Sequence, residues 1–520
     1  MASLGLGFAC KPHLPLRLPQ FRCIRRVCFS SVAAVRTLDE AEHRQTRNRV
    51  REGYREAPEW KALTSKELGI STSKIPKPTR RVLKALKAEG YEVYLVGGCV
   101  RDLILKRIPK DFDILTSARL HEVLKAFDRK QKVKGFTWCG IVGRRFPICH
   151  VHIDGTIVEV SSFSTMGKLM SIECPVECNK KDYVRWRNCA QRDFTINGLM
   201  FDPYAKIVYD YMGGLEDIKK AKVRTVIPAV TSFQDDCARI LRAVRLAARL
   251  GFQFTRETAH FVKSLAPSIS RLDKMRLMME MNYMLAYGSA EASLRRLWKF
   301  GLLEILLPVQ AAYFVRNGFR RCDRRSNMLL ALFSNLDKLL APDRPCHSSL
   351  WVAILAFHEA LSNQPRDPVV VATFCLAVHN GGNILEALRM AKQITKPHDA
   401  SFYELSEPCD LDSQLLTNEV LDLAASVKTM LSRMTDQHSV SQAMQDYPQA
   451  PHSDVVFIPL TVELEAHSIF DWVGAGREKG FRSKRGNKIN YEMLALGHLP
   501  EVRYIFARTV FDTVYPLNLS

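Results

Sequence analysis

Leu95-Val96-Gly97-Gly98-Cys99-Val100-Arg101-Asp102 is followed closely by Pro109-Lys110-Asp111-Phe112-Asp113-Ile114-Leu115-Thr116. Tyr91 to Val96 reads as a buried strand that the two glycines end. Paired glycines let a backbone turn tightly and come close to a phosphate, and Arg101 adds a charge-matched fork. A second strand is expected over Phe112 to Thr116. Side chains alternate across a strand, so Asp111 and Asp113 project to the side opposite Phe112. Two carboxylates on one face can bridge a pair of Mg²⁺ ions. Each feature alone is weak: paired glycines are common, and an isolated DxD is as readily a solvent-facing acidic pair.

Outward from this stretch, Pro78 to Glu89 has helical spacing in Val82, Leu83 and Leu86, with Gly90 as its stop. Ile141 to Phe163 reads as a hairpin, because Asp154-Gly155 between two β-branched runs favours a type I′ turn. After Gly213-Gly214, apolar residues recur at spacings of three and four almost to the end, which predicts a mostly helical remainder. The expected fold is α+β: a mixed sheet with helices, then an all-α neck, body and tail. The expected divisions are a transit peptide over 1–38, a charged linker over 39–75 and a catalytic head over 76–215. A helical neck over 216–300 and a helical body and tail over 301–520 follow.

Two more constellations lie downstream. Gln191-Arg192-Asp193-Phe194-Thr195-Ile196-Asn197-Gly198-Leu199 offers a cation for a triphosphate and a further acid, although Arg192 and Asp193 serve equally well as structural ion-pair members. Phe233 to Arg245 reads as one helix with Ile240, Val244 and Ala247 on its apolar face. Asp236, Arg239, Arg242 and Arg245 fan along its polar side, where an acid and an arginine one turn apart can address a base edge. A salt-bridged surface helix gives the same pattern.

In this order and combination the three motifs resemble the class II nucleotidyltransferases, the family of tRNA CCA-adding enzymes and bacterial poly(A) polymerases. The resemblance covers about residues 75 to 255. It implies that Gly98, Arg101 and Arg192 hold the nucleotide and that Asp111 and Asp113 bind Mg²⁺, with Asp193 as a further active-site acid. It implies that Asp236 and Arg239 read the base while Arg242 and Arg245 serve the triphosphate. Ile141-Val142-Gly143-Arg144-Arg145-Phe146-Pro147-Ile148-Cys149-His150-Val151 resembles the poly(A) polymerase branch. The implied activity is addition of AMP from ATP to an RNA 3′ end, on mRNA or tRNA. A CCA-adding enzyme and an idle RNA-binding scaffold are the alternatives. Departures from the family are Gln191 for a frequent arginine, Asp235 for the usual glutamate, and Ser162-Phe163-Ser164 for Thr-Phe-Arg. Glu159 is a candidate third acid or a paired structural glutamate.

Composition agrees with a polyanionic partner. The formal net charge is +21 over 520 residues and the pI about 9.4, a surplus that phosphate contacts exploit. The late run Arg477 to Lys488 is a basic RNA-binding candidate or a charged surface loop. No stretch approaches the roughly 18 consecutive apolar residues of a membrane span. The 14 cysteines are scattered rather than arranged as a secreted disulfide scaffold, and Cys174, Cys178 and Cys189 lack the second half of a zinc knuckle. Residues 1–38 hold no Asp or Glu but carry Lys11, Arg17, Arg22, Arg25, Arg26 and Arg36. That composition leads us to expect import into an organelle, the mitochondrion before the chloroplast.

Overall fold

A computed structural model describes residues 58–128, 135–143, 147–165, 174, 177–341, 344–447, 454–476, 484, 486 and 488–516. The expected leader, the basic Arg144-Arg145-Phe146 and most of the Arg477–Lys488 run lie outside these residues.

Eight strands form the head: β1 (Lys61–Thr64), β2 (Val93–Val96), β3 (Asp113–Thr116), β4 (Phe136–Val142), β5 (Ile148–Ile153), β6 (Thr156–Ser162), β7 (Leu199–Asp202) and β8 (Ile207–Asp210). Their order is β1-β8-β7-β2-β3-β6-β5-β4. Only β3 and β6 pair in parallel, which makes this single sheet a mixed one. The expected hairpin is β5–β6, turning at Asp154 and Gly155 with φ of 49° and 72°. Positive φ at both positions is what a type I′ turn requires, and Asp and Gly tolerate it. Ile141 and Val142 belong instead to the preceding strand β4, so the region is a three-stranded meander.

One sheet face packs on helices α1 (Lys77–Ala88), α2 (Gly98–Ile104) and α3 (Leu120–Asp128). Pro at the start of α1 supplies a helical φ without wasting an amide, and Val82, Leu83 and Leu86 are buried. The other face carries a smaller apolar cluster of Tyr94, Val96, Leu115, Met200 and Tyr211, covered by Trp186, Cys189 and Ala190 of α4 (Lys180–Ala190).

Three expectations need correcting. Order begins before Ile75: Lys61–Thr64 is the edge strand β1, antiparallel to β8. Asp111 precedes β3 and is exposed, so strand alternation does not align it with Asp113. Phe233 to Arg245 is two helices, α5 (Ala229–Asp235) and α6 (Ala238–Leu250), broken at Asp236, whose backbone is extended (φ −146°, ψ 98°).

Beyond α6 the regular elements among the described residues are helices, apart from Gln253–Phe254, which pairs in parallel with the upstream Lys222–Val223, and two isolated bridges. Helix α7 (Lys274–Leu285) packs on α6. Later helices enclose a large core in which Phe357, Phe374, Phe470 and Phe506 meet ring to ring. No helix among the described residues is long and apolar enough to cross a membrane.

Candidate active site

The site is built at the end of β2. Gly97 has φ 79° and ψ −138°, a conformation open to glycine, and it turns the chain straight from β2 into α2. Space imposes the same choice: a Cβ at Gly97 would stand 2.6 Å from Arg192 Nη1 and 3.7 Å from Asp113 Oδ2. A bare turn, a guanidinium and a carboxylate therefore converge within a few ångströms. Arg101 lies over the neighbouring glycine, with its guanidinium 3.4 Å from where a Gly98 Cβ would be.

Asp113 stands at the first position of β3, one residue before Ile114, which pairs with Val160 of β6. Glu159 precedes Val160 and so lies beside Asp113 on the same sheet face. Burial pushes the Asp113 carboxyl up to about 6; Arg192 pulls it down, while Glu159 and Asp111 raise it further. A hard oxygen donor such as Asp113, whose charge is opposed by the neighbouring acids Glu159 and Asp111, has the chemistry that suits a divalent cation such as Mg²⁺.

Behind the turn runs a continuous polar network. Arg101 is 5% exposed; its Nε donates to Asp102 Oδ1 at 2.8 Å and its Nη1 to Asn197 Oδ1. Asn197 Nδ2 donates to Asp193 Oδ1 at 3.0 Å. Asp193 Oδ2 accepts from Arg242 Nε and Nη2 at 2.9 and 2.6 Å. Burial alone would raise the Asp193 carboxyl, but Arg242, Asn197 and the Phe194 N–H outweigh it and hold it at about 2. Asp193 is thus an ionised anchor for Arg242, whose charge in turn reaches Asp113.

The α5–α6 junction holds the remaining candidates. Asp236 Oδ1 accepts from the Ala238 N–H at 3.1 Å, capping the start of α6, and its Oδ2 accepts from Arg276 of α7 at 3.0 Å. Arg239 Nη1 reaches Ser232 Oγ at 2.9 Å. Arg245 Nε donates to the buried Glu280 at 2.9 Å, and its guanidinium lies 4.9 Å over the Tyr283 ring. Lys110, next to Asp111, covers Tyr283 and Tyr287 at 5.1 and 4.9 Å.

Gly98, Arg101, Asp113, Arg192, Asp193 and Arg242 are thereby drawn together, Asp111 adjoins them in the loop before β3, and Asp236, Arg239 and Arg245 lie along the same helical flank. Sequence reading missed Asn197, Arg276, Glu280, Tyr283 and Lys110. Asn197 and Lys110 lay inside quoted motifs and were legible there. The α7 residues carried no local signal.

Residues 93–224 match the Poly A polymerase head domain, and residues 251–314 match the probable RNA and SrmB-binding site of polymerase A. Over these stretches the chain is similar to bacterial poly(A) polymerases and CCA-adding enzymes. Poly(A) polymerase I of Haemophilus influenzae is 30% identical over 287 residues, 54% of this chain and 61% of the relative. The CCA-adding enzyme of Geobacillus thermodenitrificans is 34% identical over 223 residues, 42% of this chain and 52% of the relative. The chain therefore spans only about three fifths of the length of the first of these relatives and half of the second. A solved Thermotoga maritima CCA-adding enzyme complexed with tRNA-CCA aligns over 88% of this chain and 96% of its own, at 17% identity and a TM-score of 0.42.

Proposed function

We propose that the chain is a template-independent polynucleotide adenylyltransferase that adds AMP from ATP to RNA 3′ ends and releases pyrophosphate. The observation that carries this reading is the meeting of Arg192, Asp113 and the bare Gly97–Gly98 turn. A triphosphate needs close backbone approach, fixed positive charge and a nearby acid at one point, and this arrangement offers all three. Similarity to a poly(A) polymerase over a longer stretch than to a CCA-adding enzyme supports the ATP-only branch.

Asp111 and Asp113 would hold Mg²⁺, which when bound offsets charge on the triphosphate and makes the RNA 3′-hydroxyl a better nucleophile. Arg192 would hold the triphosphate against the turn. Arg242, kept charged and oriented by Asp193, would face the leaving pyrophosphate together with Arg245. Asp236 and Arg239 would read the base: the carboxylate accepts from the exocyclic amine of adenine and the guanidinium donates to the adjoining ring nitrogen. Arg101, buried behind Gly98, would keep that glycine and Asn197 in place rather than touch phosphate through a free fork.

The test is stoichiometry. With an unstructured RNA and ATP, one pyrophosphate should appear for each AMP incorporated, and a primer ending in a 3′-deoxy sugar should give neither. Pyrophosphate released without incorporation would overturn the reading.

A further inference from the structure

The sheet face that presents Asp113 and Glu159 continues outward over β5 and β4, beyond the half that α4 covers. In register, Glu159 lies beside His150, and His150 beside Gly140; one step along, Ile157 lies beside His152, and His152 beside Trp138. Cys139, Val151 and Val158 between these rows point into the core. Trp138 is 48% exposed and Ile157 53%, although both sit on an ordered strand. The indole meets the His152 ring edge-on at 4.8 Å and 81°.

Gly140 explains how the indole lies. It is not among the glycines with positive φ, so its backbone does not call for glycine. A Cβ there would stand 2.1 Å from Trp138 Cζ2 and 2.3 Å from Cη2. The indole's six-membered ring occupies the space a side chain at Gly140 would fill, and about half of Trp138 remains exposed. Glycine weakens a strand, and inside one it marks a close approach. Here the approaching group is a large aromatic that stays 48% exposed. An exposed Trp held against the strand beside an acid-bearing row is suited to stacking an unpaired base. It suits a chain carrying +21 net charge, whose polyanionic partner must thread an end toward Asp113.

We infer that Trp138, seated over Gly140 and flanked by His152, is a stacking platform for an unpaired base of the RNA primer near its 3′ end. This rests on the reading of the chain as an enzyme that extends RNA. It adds a primer-binding surface on the outer strands of the head, separate from the residues that hold the incoming nucleotide.

The experiment compares Trp138→Ala, Trp138→Phe and Gly140→Ala with the wild type on a single-stranded oligoadenylate primer, measuring KM for RNA, KM for ATP and thermal melting. A second primer series has one base removed at each of the last several positions. Trp138→Ala and Gly140→Ala should raise KM for RNA by roughly tenfold, the size expected for one lost base–aromatic stack, while KM for ATP stays at its wild-type value. Trp138→Phe should keep most of the affinity. One abasic position should reproduce the loss in the wild type and add nothing in Trp138→Ala. The platform is overturned by an unchanged KM for RNA in Trp138→Ala, or by an abasic profile with no position coupled to Trp138. If the wild type extends no RNA at all, the functional reading fails instead. Direct binding of the same oligonucleotide then decides the platform, upheld by weaker binding in Trp138→Ala and overturned by equal binding.

Discussion

Asp113 and Asp193 show how two aspartates near one cleft reach opposite states. Asp113 is pushed up to about 6 by burial and crowded by other acids, with Arg192 and, more weakly, Arg242 opposing. Asp193 is buried too, yet Arg242, Asn197 and a backbone amide hold it at about 2. The first is poised for a cation and the second already has one. Replacing Asp113 by alanine should lower turnover by several kcal/mol, roughly a thousandfold or more, without lowering the melting temperature. Substantial Mg²⁺-supported activity in that variant would remove Asp113 from the metal site. Asn197→Ala should behave differently, because it strands a donor of buried Arg101 and takes a donor from Asp193. A loss of about 1–3 kcal/mol of stability is expected, read by thermal or chemical unfolding, with a raised KM for ATP. An unchanged melting curve would show that the bridge is dispensable. Each motif residue was legible at this scale because the chemistry requires its type. Their partners were not, since Arg276 and Glu280 lie 40 and 35 residues from the side chains they hold.

The elements explain where sequence periodicity misled. Phe233 to Arg245 keeps apolar spacing throughout, so nothing local announces the break at Asp236. The break is made by Asp236 itself, whose extended backbone ends α5 while its carboxylate caps α6 through the Ala238 amide. This places the acid at a junction, where it can face both a base and Arg276. Asp236→Ala should therefore slow ATP use and also relax rejection of GTP and UTP, which present a carbonyl where adenine presents an amine. Single-nucleotide incorporation with each triphosphate measures this, and an unchanged ranking would refute the base-reading role. Strand β1 was missed for another reason. Lys61–Thr64 is short, largely exposed and polar, and it exists as a strand only through pairing with β8 about 145 residues later. By contrast, the β5–β6 hairpin and α1 were legible because turn chemistry and apolar spacing both act locally.

At the scale of the molecule, the Asp193–Arg242 pair ties the head's Arg192–Asn197 segment to helix α6. Its pH dependence has a definite sign. The folded carboxyl titrates near 2, below its unfolded value of 3.8, so the stabilisation is fully present above about pH 4 and is lost as pH falls toward 2. The shift corresponds to about 2 kcal/mol. The stability difference between wild type and Asp193→Asn should therefore be largest near neutrality and shrink steadily between about pH 4 and pH 2. Denaturant unfolding across that range measures it, and a pH-independent difference would show that the pair contributes no charge-specific stabilisation. The central claim concerns the product made on RNA, and one assay addresses it most directly. An unstructured RNA and a tRNA lacking its CCA end are each incubated with every triphosphate singly and with CTP plus ATP, and the products are resolved to single nucleotides. The account predicts a long, heterogeneous ladder of adenylates on the unstructured RNA with ATP alone. Three additions confined to tRNA and dependent on CTP would contradict it in favour of a CCA-adding enzyme, and no addition to either RNA would contradict it in favour of an idle RNA-binding scaffold.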